Sequence, residues 1–164
     1  MGNELGQYLE WRYYSELEWK DLSFEFNREY QHYMKTLNQI GRDYKALHYY
    51  DTEPAGLTVL DADNVEQAVL TMMRQGKAKR DFLIIALNFI PVERQEYRIG
   101  VPYKGEYEVL LNSQMQEFGG RWTENLPVMK TEEVPHDGQP YSIVTTVPSL
   151  GVLYIKPKRV YGAK

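Results

Sequence analysis

Cysteine is absent from the 164 residues, which excludes a disulfide framework and a thiolate metal site. No run approaches the ~20 apolar residues needed to span a bilayer. The N-terminus lacks the basic-then-apolar pattern of a signal peptide. Only three histidines occur, His32, His48 and His136, and they are scattered, with no G-x-S-x-G elbow to suggest a serine hydrolase. Basic residues are outnumbered, for a formal net charge of −4, which argues against nucleic acid or an anionic membrane as a partner. The lack of a signal peptide and of cysteine together favours a cytoplasmic protein. The length suits one domain, or one domain with an appendage, able to bury a core.

Tyrosine, by contrast, is abundant, with 14 copies beside three tryptophans. Such rings pair an apolar face with a polar tip. They stack on sugars, and they are equally good strand residues.

Residues 1–21 have no sustained period and predict a loop with a short helical turn. From about Leu22, the residues Phe26, Tyr30, Tyr33, Met34, Leu37, Ile40, Tyr44 and Leu47 recur at spacings of three and four. That spacing predicts one helix of about six to seven turns, running through Gly41 to Leu47. Ser23 is the expected N-cap, without a capping box because Phe26 stands three residues later. His48 then falls near the helix C-terminal carbonyls, and His32 lies off the stripe, facing solvent.

Asp51-Thr52-Glu53-Pro54-Ala55-Gly56 is a connector. Beyond it, short β-like runs alternate with breakers. Strands are expected at Leu57–Leu60, Ala68–Arg74, Phe82–Phe89, Tyr97–Val101, Glu106–Leu111, Met129–Glu133, Tyr141–Val147 and Val152–Lys156. Their number and spacing predict an antiparallel sandwich. The unalternating run Phe82–Leu87 predicts a central strand buried on both faces, and 141–147 a strand with one wet face. The fold is therefore mainly β with an N-terminal helix. A long one-sided helix and an aromatic loop without a rigid base suggest truncation at the N-terminus.

Metal chemistry finds little support. Asp61-Ala62-Asp63-Asn64 opens like a calcium loop, but Val65 and Glu66 stand where a ligand and a glycine belong, so an Asx-stabilised turn is expected. Lys77, Lys79 and Arg80 suit a solvated hairpin tip, and His136 with Asp137-Gly138 a hairpin turn. Retaining glycosyl transfer needs two carboxyls about 5–5.5 Å apart, held by rigid strand ends. Glu4, Glu10, Glu16 and Glu18 share one unsupported segment, so they are expected at the surface or as supporting groups, with Glu4 the best-placed exception.

Several motifs stand in order along the chain: Gly2-Asn3-Glu4-Leu5-Gly6-Gln7, Glu10-Trp11, Leu17-Glu18-Trp19, Lys45-Ala46-Leu47-His48, Asp61-Ala62-Asp63 with Val69-Leu70 and Arg74, Leu87-Asn88-Phe89-Ile90-Pro91-Val92, Tyr97-Arg98-Ile99-Gly100-Val101-Pro102, Val109-Leu110-Leu111-Asn112-Ser113 and Phe118-Gly119-Gly120. Over nearly its whole length the chain resembles the C-terminal portion of the 1,4-α-glucan (glycogen) branching enzymes of glycoside hydrolase family 13. Leu5 departs from the usual phenylalanine. The resemblance implies that residues 1–50 are the end of a (β/α)8 catalytic barrel, its loop after strand eight plus its last helix. It implies that 51–164 form a C-terminal β-sandwich of the α-amylase type. Met1 aligns with a methionine internal to such enzymes, so a fragment boundary is expected there.

Such enzymes cut an α-1,4-glucan and rejoin the piece through an α-1,6 bond, by a covalent glycosyl intermediate and without metal or organic cofactor. Their catalytic carboxylates follow earlier barrel strands and have no counterpart here, so the isolated chain is expected to be inactive. The implied partners are an α-glucan, met through the parent enzyme, and the missing barrel. Asn3, Glu4, Gln7 and Trp11 would lie at or near the active-site face, as glucan contacts or as loop braces, with Trp19 packed beneath the last helix. Two other readings stay open. One is a stand-alone α-glucan-binding sandwich using Trp11 or Trp122, and the other a purely structural role for residues 57–164.

Overall fold

The computed structural model describes residues 2–10 and 12–162. Two short 3-10 turns, Asn3–Leu5 and Trp19–Ser23, punctuate the opening segment. Helix α1 follows at Glu25–Asp43, then a 3-10 turn at Lys45–Leu47. Eight strands complete the chain: β1 (Leu57–Asp61), β2 (Val69–Gln75), β3 (Phe82–Asn88), β4 (Arg94–Val101), β5 (Gly105–Asn112), β6 (Met129–Lys130), β7 (Tyr141–Val147) and β8 (Gly151–Val160).

All eight expected strands are present and every pairing is antiparallel. Six form a sheet in the order β1-β2-β3-β8-β5-β6, and β4 pairs with β7 in a second, two-stranded sheet. The core lies between the two. Phe82, Ile84 and Ala86 of β3 with Tyr107, Leu153 and Ile155 meet Ile99, Val101, Ile143 and Val147 of the smaller sheet. Alternation along a strand sends Leu83 and Ile85 to the opposite face, yet both are buried. That face is covered by α1 and the turn after it, where Tyr44 hydroxyl meets Lys156 Nζ at 3.4 Å and the Leu47 carbonyl accepts from Arg74 at 3.0 Å. Burial on both faces explains why β3 reads as an unbroken apolar run.

Four expectations need correction. The helix ends at Asp43, not Leu47: Tyr44 is extended, with φ −103° and ψ 102°. The break lets the next turn rotate so that Ala46 is buried and the Leu47 carbonyl is free for Arg74. Ser23 is not the N-cap. It closes the preceding 3-10 turn, its carbonyl accepts from Arg28 Nη1 at 2.7 Å, and Phe24 takes the cap position with no side-chain cap bond. Phe26 is not on the buried stripe. It is 63% exposed, and Asn27, 1% exposed, occupies the inward register instead. Trp19 is 57% exposed and does not pack beneath the helix, because it opens a turn whose inward residue is Asp21.

Three strands also differ in length by three residues or more, the first being β4, which begins at Arg94 and not at Tyr97. Met129–Glu133 shortens to Met129–Lys130 at the sheet edge. Val152–Lys156 lengthens to ten residues, because β8 pairs with β3 over Gly151–Ile155 and with β5 from Leu153 to Val160. Pro157 is accommodated beside a register shift in the β5–β8 ladder.

Candidate functional site

The opening loop is built on two glycines. Gly2 and Gly6 both adopt left-handed backbone, φ 83° and 59°, and bracket the turn Asn3–Leu5; glycine adopts this geometry without steric cost. The turn closes through Leu5 N–H to the Gly2 carbonyl at 3.0 Å and Gly6 N–H to the Asn3 carbonyl at 3.2 Å. Leu5 anchors it, buried at 1% exposure. An apolar residue suffices for that anchor, so leucine in place of phenylalanine leaves the loop intact.

Asn27, on the first turns of α1, holds the loop from below. Its side-chain amide donates to the carbonyls of Leu5 and Gly6, each at 2.9 Å, and its Oδ1 accepts from the Tyr8 hydroxyl at 3.4 Å. The motif reading missed this residue. Its available signal was register: Asn27 lies three residues before Tyr30 and seven before Met34, so a polar group stands at an inward-facing position. A buried amide there requires partners, and loop carbonyls supply them.

The four candidate residues part company at this loop. Asn3 and Gln7 line one cleft of about 480 Å³, together with Tyr8, Glu10 and Tyr30. Gln7 is fully engaged: its amide donates to the Leu9 carbonyl at 3.1 Å and its Oε1 accepts from Glu18 N–H at 3.5 Å. Its side chain also lies where a Cβ on Gly2 would stand, 2.3 Å away. Glu4 is exposed on the outer side of the turn and does not line the cleft. Trp11 lies outside the described residues.

The remaining glutamates of this segment are surface groups, Glu10 and Glu16 exposed and Glu18 paired with Lys20 at 3.0 Å. The Lys20 ammonium is held above its ordinary value by the hydrogen bond and charge of Glu18. This arrangement can bind hydroxyl groups and orient a loop. It lacks two carboxyls held by separate rigid elements, the requirement for glycosyl transfer.

The histidines sit as expected. Exposed His32 faces Glu117 at 3.3 Å, and His48 Nδ1 lies 2.9 Å from the Gly41 carbonyl at the helix end. His136 pairs with Gln139 across a turn in which Asp137 and Gly138 have φ 49° and 70°. The acidic loop after β1 is an Asx turn, with Asp63 N–H on Asp61 Oδ1 at 3.0 Å and Gln67 N–H on Asn64 Oδ1 at 3.2 Å. Among the described residues no group of three His, Asp or Glu side chains could hold a metal ion.

A second cavity, of about 450 Å³, lies where α1 meets the ends of β3 and β5. Its position was not foreseen, because its walls come from five separated segments of the chain.

Known proteins align with nearly the entire chain. It is 44% identical over 162 residues to the 1,4-alpha-glucan branching enzyme GlgB of Lactiplantibacillus plantarum, covering 99% of this chain and 26% of that protein. It is 38% identical over 161 residues to the enzyme of the same name from Lactobacillus acidophilus, covering 98% of this chain and 25% of that one. The Halothermothrix orenii enzyme of that name is also 38% identical, over 157 residues, with 96% and 25% covered. The chain thus spans about a quarter of the length of the curated relatives it matches. Residues 59–158, which run from β1 into β8, match the family described as alpha amylase, C-terminal all-beta domain. That match takes in the antiparallel strands and the core between the two sheets, and the chain belongs to this family.

Proposed function

We propose that this chain is the C-terminal quarter of a 1,4-α-glucan branching enzyme, and that it completes and supports a catalytic barrel without carrying the reacting carboxylates. The observation behind this reading is identity of 44% across 99% of the chain to an enzyme of that name. In it, residues 1–50 are the last loop and helix of the barrel, and 51–164 the supporting sandwich. The parent enzyme works in the cytoplasm on an α-glucan, moving a segment from an α-1,4 to an α-1,6 linkage through a covalent glycosyl intermediate.

The surface of the opening segment supports a docked neighbour. Tyr8, Tyr13, Tyr14, Trp19, Phe24 and Phe26 are all more than half exposed, and so many large rings in one short stretch are expensive to leave in water. Contact with the upstream barrel would cover them. Gln7 then acts as a brace, since both ends of its amide are engaged within the loop. Asn3, Glu4 and Trp11 are the candidates for glucan contact.

The test is complementation. This chain is joined to the upstream three quarters of the Lactiplantibacillus plantarum enzyme and incubated with amylose, and iodine absorbance is followed. A falling absorbance with the joined protein, and a constant one with the 164-residue chain alone, is the expected result. A joined protein that folds yet leaves the absorbance constant, or activity from the isolated chain, overturns the reading.

A further inference from the structure

The cavity at the junction of helix and sheet has a composition that selects a ligand class. Four aromatic rings line it: Tyr30 and Tyr33 from α1, Phe118 from the 3-10 turn Gln116–Phe118, and Phe89 just after β3. Tyr33 and Phe118 stand edge to face at 5.5 Å, and Phe89 is 60% exposed. The polar contributors are Asn88, Ser113 and Gln114. No lining residue is charged. An anionic or cationic ligand would therefore lose its hydration with no opposite charge to replace it.

Unused hydrogen-bonding capacity narrows the class further. Among the described residues, the tyrosine hydroxyls that have hydrogen-bond partners are those of Tyr8, Tyr44, Tyr97 and Tyr107. Those of Tyr30 and Tyr33 make no hydrogen bond to any described residue. Ser113 Oγ accepts from Val152 N–H at 2.8 Å, which leaves its own proton available. Gln114 spends its amide nitrogen on the Leu150 carbonyl at 3.3 Å, which leaves Oε1 as an acceptor. A purely apolar occupant would strand these groups without partners, at a cost. Leu150, another lining residue, has φ 45° and is 60% exposed, so an apolar side chain is held at the rim in a conformation uncommon outside glycine.

We infer that this groove is a carbohydrate-binding site for a neutral pyranose, with C–H faces against the aromatic rings and hydroxyls on Ser113, Gln114 and the tyrosines. The volume suits a short oligosaccharide. The further specification of an α-1,4-linked glucan rests on the function proposed above.

The test uses the 164-residue chain, isotope-labelled and titrated with maltotriose to about 20 mM, in the range of a weak site, with cellotriose as linkage control. Saturable amide shifts are expected for Phe89, Ser113, Gln114 and Gly151 with maltotriose, and weaker ones with cellotriose. Phe89→Ala and Gln114→Ala should each weaken binding about tenfold, equivalent to about 1.4 kcal/mol, with melting temperature unchanged. Tyr13→Ala, which removes an exposed ring elsewhere, should leave binding intact. Absence of shifts, shifts confined to other surfaces, or equal loss in Tyr13→Ala overturns the inference, whereas equal binding of the two trisaccharides overturns the α-1,4 specification alone. If a groove variant fails to fold, the wild-type shift map alone decides, since binding elsewhere sinks the site. None of these outcomes bears on the branching reading, which the iodine assay decides separately.

Discussion

The side-chain amide of Asn27 donates to the Leu5 carbonyl at 2.9 Å, tying helix α1 to a turn 22 residues upstream. One residue thus converts a glycine-flanked loop into a fixed element, because the same amide also takes the Gly6 carbonyl. Asn27→Ala leaves both carbonyls without this donor, and a buried acceptor left unpaired costs about 1–3 kcal/mol. The expected result is a lower melting temperature, with faster hydrogen exchange confined to residues 2–9. An unchanged exchange pattern in that loop would show that Leu5 packing alone holds it.

Alkaline stability should be limited by buried tyrosines. Burial pushes the Tyr107 hydroxyl well above its ordinary value of about 10, even though it donates to the Tyr103 carbonyl at 2.8 Å. Burial also raises Tyr33, Tyr97 and Tyr154. Below pH ~10 both folded and unfolded tyrosines are protonated, so these groups add no pH dependence. Above it the unfolded chain loses protons that the folded chain retains, and stability falls with rising pH. Urea midpoints measured between about pH 9 and 11 should decline, and Tyr107→Phe should flatten that decline. A midpoint independent of pH across that range would contradict the assignment.

Two glycines should respond to alanine for different reasons. A Cβ on Gly100, in β4, would stand 2.2 Å from the His136 carbonyl, so Gly100→Ala must displace the 136–139 hairpin and is expected to cost about 1–3 kcal/mol. At Gly138 there is open space but φ is +70°, so Gly138→Ala should cost about 1 kcal/mol from backbone strain alone. Chemical denaturation of the two variants measures the difference, and equal losses would count against the steric account.

Gly41 offers a stabilising change. It lies within α1 with nothing within 4 Å of an added Cβ. Gly41→Ala should therefore raise stability by about 0.5–1 kcal/mol through helix propensity. A loss instead would indicate that the helix end needs glycine to release Tyr44 into its extended conformation.

The strands were legible because most are separated by residues that interrupt the β pattern, such as Gly76 before β3 and Pro102 after β4. The central place of β3 was legible from Phe82–Leu87, whose lack of alternation reflects burial on both faces. The helix end was not. Nothing local stops the helix after Asp43, and the break serves contacts made by Ala46 and Leu47 with a sheet assembled from later residues. The loop between the two glycines was legible as a motif, whereas its clamp, Asn27, belongs to the helix and becomes meaningful only once the two segments meet. The groove was invisible for a related reason. Phe89, Ser113 and Leu150 share no sequence neighbourhood and converge only through the pairing of β3 and β5 with β8.

That pairing also sets an order of events during synthesis. The hairpin ladder β1-β2-β3 and the pair β5-β6 are made early, but they are hydrogen-bonded to one another only through β8. Until residues 151–160 have left the ribosome, β3 and β5 each expose an unsatisfied edge, a template for stray strands. Assembly of this sheet must therefore wait on its final segment, and shortening β8 should yield two half-sheets prone to self-association, instead of a slightly smaller version of the same domain.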